Sequence, residues 1–143
     1  MFNAVLSQNA FFVSLLLFAA GAAGSLFLRK NDSAANLWGN ILAILGSVSG
    51  LVSSSAVIFS NSAFSYSVAS SLPLFSFSFN VDKLSAFFIF TISLIALFAS
   101  VYGIGYVKHF YKKYNIGTLG FFYNTFIAGM LAVVSAGNAI FFL

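Results

Sequence analysis

Residues 84–107 read LSAFFIFTISLIALFASVYGIGYV, a stretch without a single charged side chain. A helix needs about 20 mainly apolar residues to cross the roughly 30 Å hydrocarbon core of a bilayer. Backbone polar groups find no water there, so they must pair within their own segment, which favours a helix. The stretch therefore predicts a membrane-spanning helix. Lys108 and His109 follow it at the point where the chain would leave the bilayer.

The whole chain shares this apolar character. Of its 143 residues, 61% are hydrophobic and only 6% are charged, whereas roughly a quarter of the residues in a soluble domain are charged. The net charge of +4 comes from six basic and two acidic residues, which are too few basic side chains to form a nucleic-acid-binding surface. The chain has no cysteine, so it has no disulfide, thiolate ligand or cysteine nucleophile. Composition predicts an integral membrane protein that contacts the lipid bilayer and no nucleic acid.

Apolar stretches predict an all-α membrane protein with four transmembrane helices, at about residues 10–28, 37–59, 84–107 and 118–142. We expect a single membrane region over residues 1–143, with an outer loop at 60–83 and cytoplasmic loops at 29–36 and 108–117. These two cytoplasmic loops carry five of the six basic residues, and short loops rich in Lys and Arg stay on the cytoplasmic side. Both termini are then expected on the outer side.

The outer loop carries a pattern of its own. Residues 64–68 (FSYSV) and 75–79 (FSFSF) alternate apolar and polar side chains, and SSLP at 70–73 between them suits a turn. Alternation with a period of two is typical of strands. We predict a short β-hairpin whose aromatic face lies on the membrane or on neighbouring helices. The alternative is an irregular loop with interfacial phenylalanines.

Side chains suited to chemistry are scarce. No Asp, Glu, Lys, Arg or His lies inside a predicted span, whereas proton and ion paths through membranes usually use such groups. His109 is the only histidine, and the only carboxylate side chains, Asp32 and Asp82, are expected on opposite sides of the membrane. We predict no catalytic, cofactor-binding or metal-binding residue. Gly46 and Gly50 have the spacing that allows close helix packing, so the second helix is expected to face protein.

Short motifs in the second half resemble a known family. A D-x-L-S-x-x-F pattern is matched by Asp82, Leu84, Ser85 and Phe88, and a Y-x-x-x-Y pattern by Tyr102 and Tyr106. In the fourth span, an aromatic start, a small-residue centre and a late asparagine are matched by Phe121, Phe122, Gly129, Met130 and Asn138. The region from about residue 80 to 143 resembles the antiporter-like proton-translocating membrane subunits of respiratory complex I and of membrane-bound nickel–iron hydrogenases, especially component B of the formate-hydrogenlyase type. The first two spans agree only in number, spacing and topology.

The resemblance implies a role within a larger assembly. Family members are thought to move protons while a peripheral arm carries out redox chemistry, and their leading helices act as scaffold. Their proton path uses a glutamate on the fifth helix and lysines on later helices. The apolar ending at residues 139–143 predicts a fragment that stops before those residues and does not pump alone.

The same resemblance implies a non-catalytic subunit, for which we expect no cofactor and a place in a bacterial inner membrane. Its partners are then other membrane subunits of a hydrogenase or complex I-like (NADH-quinone oxidoreductase) assembly. Two alternatives remain: a complete small four-helix membrane protein with a structural or assembly role, and a small membrane enzyme or carrier.

Individual motif residues also have structural interpretations. Asp82 precedes the third span, where a carboxylate caps a helix N-terminus, or it contacts a partner subunit. Tyr102, Tyr106 and Tyr111 are expected in an interfacial aromatic belt. Asn138 either bonds across helices or reaches the outer interface.

Overall fold

A computed structural model describes residues 2–60, 63–68 and 77–137. It contains four helices, α1 (Phe2–Phe27), α2 (Asp32–Ser60), α3 (Lys83–Tyr106) and α4 (Ile116–Val134), with a 3₁₀ turn at Val107–Phe110. Strands β1 (Phe64–Val68) and β2 (Phe77–Val81) lie between α2 and α3. All four helices are long and apolar enough to cross a membrane. The predicted four-helix membrane fold and the hairpin are confirmed.

Helices α1 and α2 form the most extensive contact in the bundle. Serine hydroxyls bond across the interface to backbone carbonyls: Ser14 Oγ donates to Gly46 O at 2.7 Å and Ser53 Oγ to Ser7 O at 2.7 Å. Such close approach requires small residues on the facing surfaces. Gly46 and Gly50 are both buried there, so the expected protein-facing role of α2 is confirmed.

The hairpin packs on the first half of α1. Its strands are antiparallel, with Phe64 opposite Val81 and Tyr66 opposite Phe79. The rings of Phe64 and Phe79 lie 6.0 and 5.9 Å from that of Phe11, centroid to centroid. The aromatic face therefore contacts a neighbouring helix, as predicted.

The second strand, as far as it is described, extends two residues beyond the alternation at 75–79. Alternation continues through Asn80 to the fully buried Val81, so β2 extends to the residue before Asp82. Residues 70–76, including the predicted turn, lie outside the described part of the chain.

The fourth helix ends at Val134, well before the expected boundary at 142. The reason is a non-local contact: Ser135 O accepts a hydrogen bond from Asn80 N at 2.8 Å, and Ala136 forms a bridge with Phe79. The chain thus leaves the helix to join the edge of the hairpin. Asn138 and the rest of the predicted span lie outside the described residues.

The N-terminal boundaries of α1 and α2 also differ from the expected ones. These helices begin at Phe2 and Asp32 instead of about 10 and 37. Hydropathy detects only the apolar part of a helix, whereas backbone hydrogen bonding continues into the polar residues at its ends.

Candidate functional site

The residues of the D-x-L-S-x-x-F motif lie at the N-terminus of α3. Asp82 is the N-cap, and its Oδ1 accepts a hydrogen bond from the Ser85 backbone N–H at 2.7 Å. This bond favours the charged carboxylate and holds the pKa of Asp82 below its ordinary value of 3.8. The capping role predicted for Asp82 is confirmed.

We expect Asp82→Ala to lower the free energy of unfolding by about 1 kcal/mol, because an unpaired N–H would remain at the helix end. Asp82→Asn is the control, since an asparagine oxygen caps equally well. A carboxylate with a depressed pKa stabilises the folded state above its unfolded pKa, and the stabilisation is lost as pH falls through its folded pKa. The gap between wild type and Asp82→Ala should therefore shrink below pH 3.8. SDS-titration unfolding at pH 7 and pH 3 measures both effects, and an equal gap at the two values would contradict the assignment.

The two motif tyrosines lie at the other end of α3. Tyr102 and Tyr106 stack, with ring centroids 5.2 Å apart, and both are exposed. About 20 residues separate them from Asp82, roughly 30 Å along a helix. The predicted motif residues therefore do not converge on one site. Nearby, Tyr111 Oη accepts a hydrogen bond from Asn36 Nδ2 at 2.9 Å, so Tyr111 connects the loop after the 3₁₀ turn to α2.

The motif side chains mark the outward face of α3. Leu84 is 65% exposed and Tyr102 66% exposed, and Phe88 also points away from the bundle. The inward face of the helix consists mostly of small buried residues, Ala86, Ile89, Ser93, Ala96 and Ser100. Several residues that carry the resemblance are thus available to lipid or to a neighbouring subunit.

A buried polar centre joins α1, α2 and α4. Asn124 Nδ2 donates to Gly39 O at 3.2 Å and to Gly120 O at 2.9 Å. The Ser25 hydroxyl lies beside Gly39 and Gly120, and both Asn124 and Ser25 are fully buried. Sequence reasoning missed this centre, although one signal was present: an asparagine inside an apolar span needs a partner.

Helices α3 and α4 contact each other much less than α4 contacts α1. Tyr123 bridges them: its hydroxyl donates to Ala96 O at 3.1 Å and forms a 2.9 Å hydrogen bond with the Ser100 hydroxyl. The long Tyr123 side chain therefore lies between α3 and α4, at a place where small residues would allow the two helices to pack closely. Two adjoining cavities of about 330 and 620 Å³ lie along these helices, and both are lined by Tyr106, Val107, Ile116 and Leu119. Asn36 and Asn40 of α2 also line the smaller one. We call this pair of cavities the α3–α4 groove.

Five of the six basic residues lie at one end of the bundle, and Lys83 lies at the other. Asp32, in the first turn of α2, accepts a hydrogen bond from the Lys112 backbone N–H at 2.8 Å, which joins the start of α2 to the loop before α4. Arg29 lies against Gly117 at the start of α4. Asp82 caps the opposite end of α3, so the two carboxylate side chains are far apart. His109 is exposed and bonds to the Tyr106 carbonyl at 3.2 Å, an interfacial position with no catalytic neighbour among the described residues.

Residues 70–116 match the family model described as NADH-Ubiquinone oxidoreductase (complex I), chain 5 N-terminus. The resemblance to antiporter-like subunits of complex I is confirmed for this segment, about a third of the 143 residues, and the likeness to one hydrogenase type stays a prediction. In the same comparisons, no curated protein and no solved structure gave a significant match.

The family match has clear structural boundaries. It includes β2, the Asp82 cap, all of α3 and the 3₁₀ turn, and it ends at the first residue of α4. The tyrosine pair lies inside it. The resemblance noted for α4, from Phe121 to Asn138, lies beyond the matched segment and stays a prediction.

Proposed function

We propose that this chain is a scaffold segment of an antiporter-like, proton-translocating membrane subunit in an oxidoreductase assembly of the complex I or hydrogenase type. The observation that carries the proposal is the family match over residues 70–116. That segment supplies the outward face of α3, where Leu84, Phe88 and Tyr102 are exposed.

A scaffold role suits the chemistry of the bundle better than proton transfer by this chain alone. In the described residues, charged side chains on α2 and α3 occur only at their first positions, Asp32 and Lys83. The buried polar groups are serines and asparagines, which do not ionise near neutral pH. Proton relays in membranes rely on buried ionisable groups, so the relay would reside in another part of the assembly.

Site-specific photo-crosslinking in native membranes tests the proposal. A photoreactive phenylalanine analogue is placed at Phe88 or Tyr102 on α3, or at Leu16 on α1 as the matched control, since all three side chains are exposed. We expect the two α3 positions to crosslink to a membrane subunit of a redox complex, identified by mass spectrometry, and Leu16 to react far less with that subunit.

The main alternative is a small four-helix membrane protein with a structural or assembly role. It predicts crosslinks from Phe88 and Tyr102 only to lipid or to a second copy of the chain. That outcome would overturn the oxidoreductase proposal, because the outward face of α3 would then have no partner of the proposed class.

We further propose that the basic end of the bundle faces the cytoplasm of a bacterial inner membrane, with the hairpin outside. The chain has no cysteine, so a single introduced cysteine is the one thiol in it that a maleimide can label. Ser65 on β1 and Ser33 at the start of α2 are both exposed, and Ser→Cys is a small change at either position. We expect an impermeant maleimide to label Ser65→Cys in intact spheroplasts and Ser33→Cys only after permeabilisation. The reverse labelling pattern would show that the hairpin faces the cytoplasm and would contradict the proposed orientation.

A further inference from the structure

The α3–α4 groove is apolar along its walls and opens at the basic end of the bundle. Both of its cavities present mainly apolar surface, from residues such as Val107, Ile116 and Leu119. The larger cavity also includes Phe110 and Tyr114, in the loop that connects the two helices. The groove therefore runs from a loop at the membrane surface into the span.

Basic residues adjoin the lining residues of this groove along the chain. Lys108 follows the lining residue Val107, and Lys112 and Lys113 precede the lining residue Tyr114. Arg29 lies beside the first turn of α4. The only carboxylate side chain at this end is Asp32, which accepts the backbone N–H of Lys112. The charge at the mouth is thus strongly positive.

We propose that the groove binds an anionic phospholipid, with an acyl chain between α3 and α4 and its phosphate beside Lys108, Lys112 and Lys113. An amphiphile of this kind matches both parts at once, because apolar walls accept the chain and the lysines attract the headgroup. Tyr102 lines the groove and also lies on the proposed partner-facing side of α3, whereas Leu84 and Phe88, at the other end of that helix, lie outside the groove.

The depth of the groove fits one leaflet. Along this part of the chain, its lining runs from Ala99 to Val107, a length of roughly 14 Å at 1.5 Å per residue. Half of a hydrocarbon core of roughly 30 Å has the same depth. The bound acyl chain would therefore lie at the same depth as the acyl chains of the surrounding lipids.

Native mass spectrometry of the purified full chain tests the headgroup site, with phosphatidylglycerol and phosphatidylcholine of identical acyl chains as probes. We expect phosphatidylglycerol to bind at least about tenfold more tightly, because each basic residue near an anionic lipid contributes roughly fivefold. The combined variant Lys108→Gln, Lys112→Gln and Lys113→Gln should bring the two affinities close to equality. Lys83→Gln, at the opposite end of the bundle, is the matched control and should keep the preference.

A second pair of variants tests the groove itself. Ala99 lines it, whereas Ile95, one turn away on α3, is exposed and does not line it. Ala99→Phe should fill the groove and abolish retention of phosphatidylglycerol, whereas Ile95→Phe should retain it; circular dichroism verifies that both variants are folded. Equal affinity for the two lipids, unaltered binding by Ala99→Phe, or a second copy of the chain in place of lipid would each overturn the proposal.

Discussion

Gly117→Ala is expected to lower the free energy of unfolding by about 2 kcal/mol, within the range typical of overpacked interiors. A Cβ on Gly117 would lie 2.5 Å from the Ser25 carbonyl oxygen and 2.7 Å from Arg29 Cα. Both are backbone atoms, one in the last turn of α1 and one just after its end, so no side-chain rotation relieves the clash. Helix α4 would have to move away from α1, its main packing partner.

Gly129→Ala is the matched control on the same helix. No described atom lies within 4 Å of a Cβ on Gly129, and alanine favours a helix over glycine by up to about 1 kcal/mol. We expect this variant to be as stable as wild type or slightly more so, as measured by SDS titration in mixed micelles. Equal losses for Gly117→Ala and Gly129→Ala would show that α4 does not approach α1 as closely as described.

The close contact at Gly117 could not be predicted from the sequence, whereas features that depend on one segment alone could. Hydrophobic length located all four helices, since the uncharged run at 84–107 corresponds closely to α3 (Lys83–Tyr106). Alternation of side chains located the hairpin, and small residues at Gly46 and Gly50 identified the packed face of α2. Each of these signals is local, because it depends on neighbours within one segment.

The missed features depend on contacts between distant segments. The end of α4 is set by the hydrogen bond from Asn80 N to Ser135 O, which no pattern inside the fourth span reveals. The α3–α4 groove is lined by Tyr123, whose hydroxyl bonds to Ala96 O and the Ser100 hydroxyl, whereas the sequence shows only another aromatic residue. Hydropathy fixes which segments are helices but not which faces meet, and so the polar centre at Asn124 was not predicted.

The polar centre gives the other large effect. Asn124→Asp changes one nitrogen to oxygen without changing the shape of the side chain, yet we expect it to lower the free energy of unfolding by about 3 kcal/mol. Asn124 Nδ2 donates to the carbonyls of Gly39 and Gly120. A carboxylate would place negative charge against those two oxygens, and a charged side chain at a helix centre within a membrane costs about 2.5–3.5 kcal/mol.

Asn115→Asp makes the same chemical change at the N-cap of α4, where the side chain is exposed and accepts the Thr118 N–H at 3.1 Å. Aspartate caps as well as asparagine and suits the positive end of the helix dipole, so this variant should be as stable as wild type or slightly more so. The comparison separates the burial of charge from the substitution itself, because both variants carry one added carboxylate on the same helix. If Asn124→Asp unfolds within about 0.5 kcal/mol of Asn115→Asp, water or an accessible surface must surround Asn124, and the three-helix contact around it would be wrong.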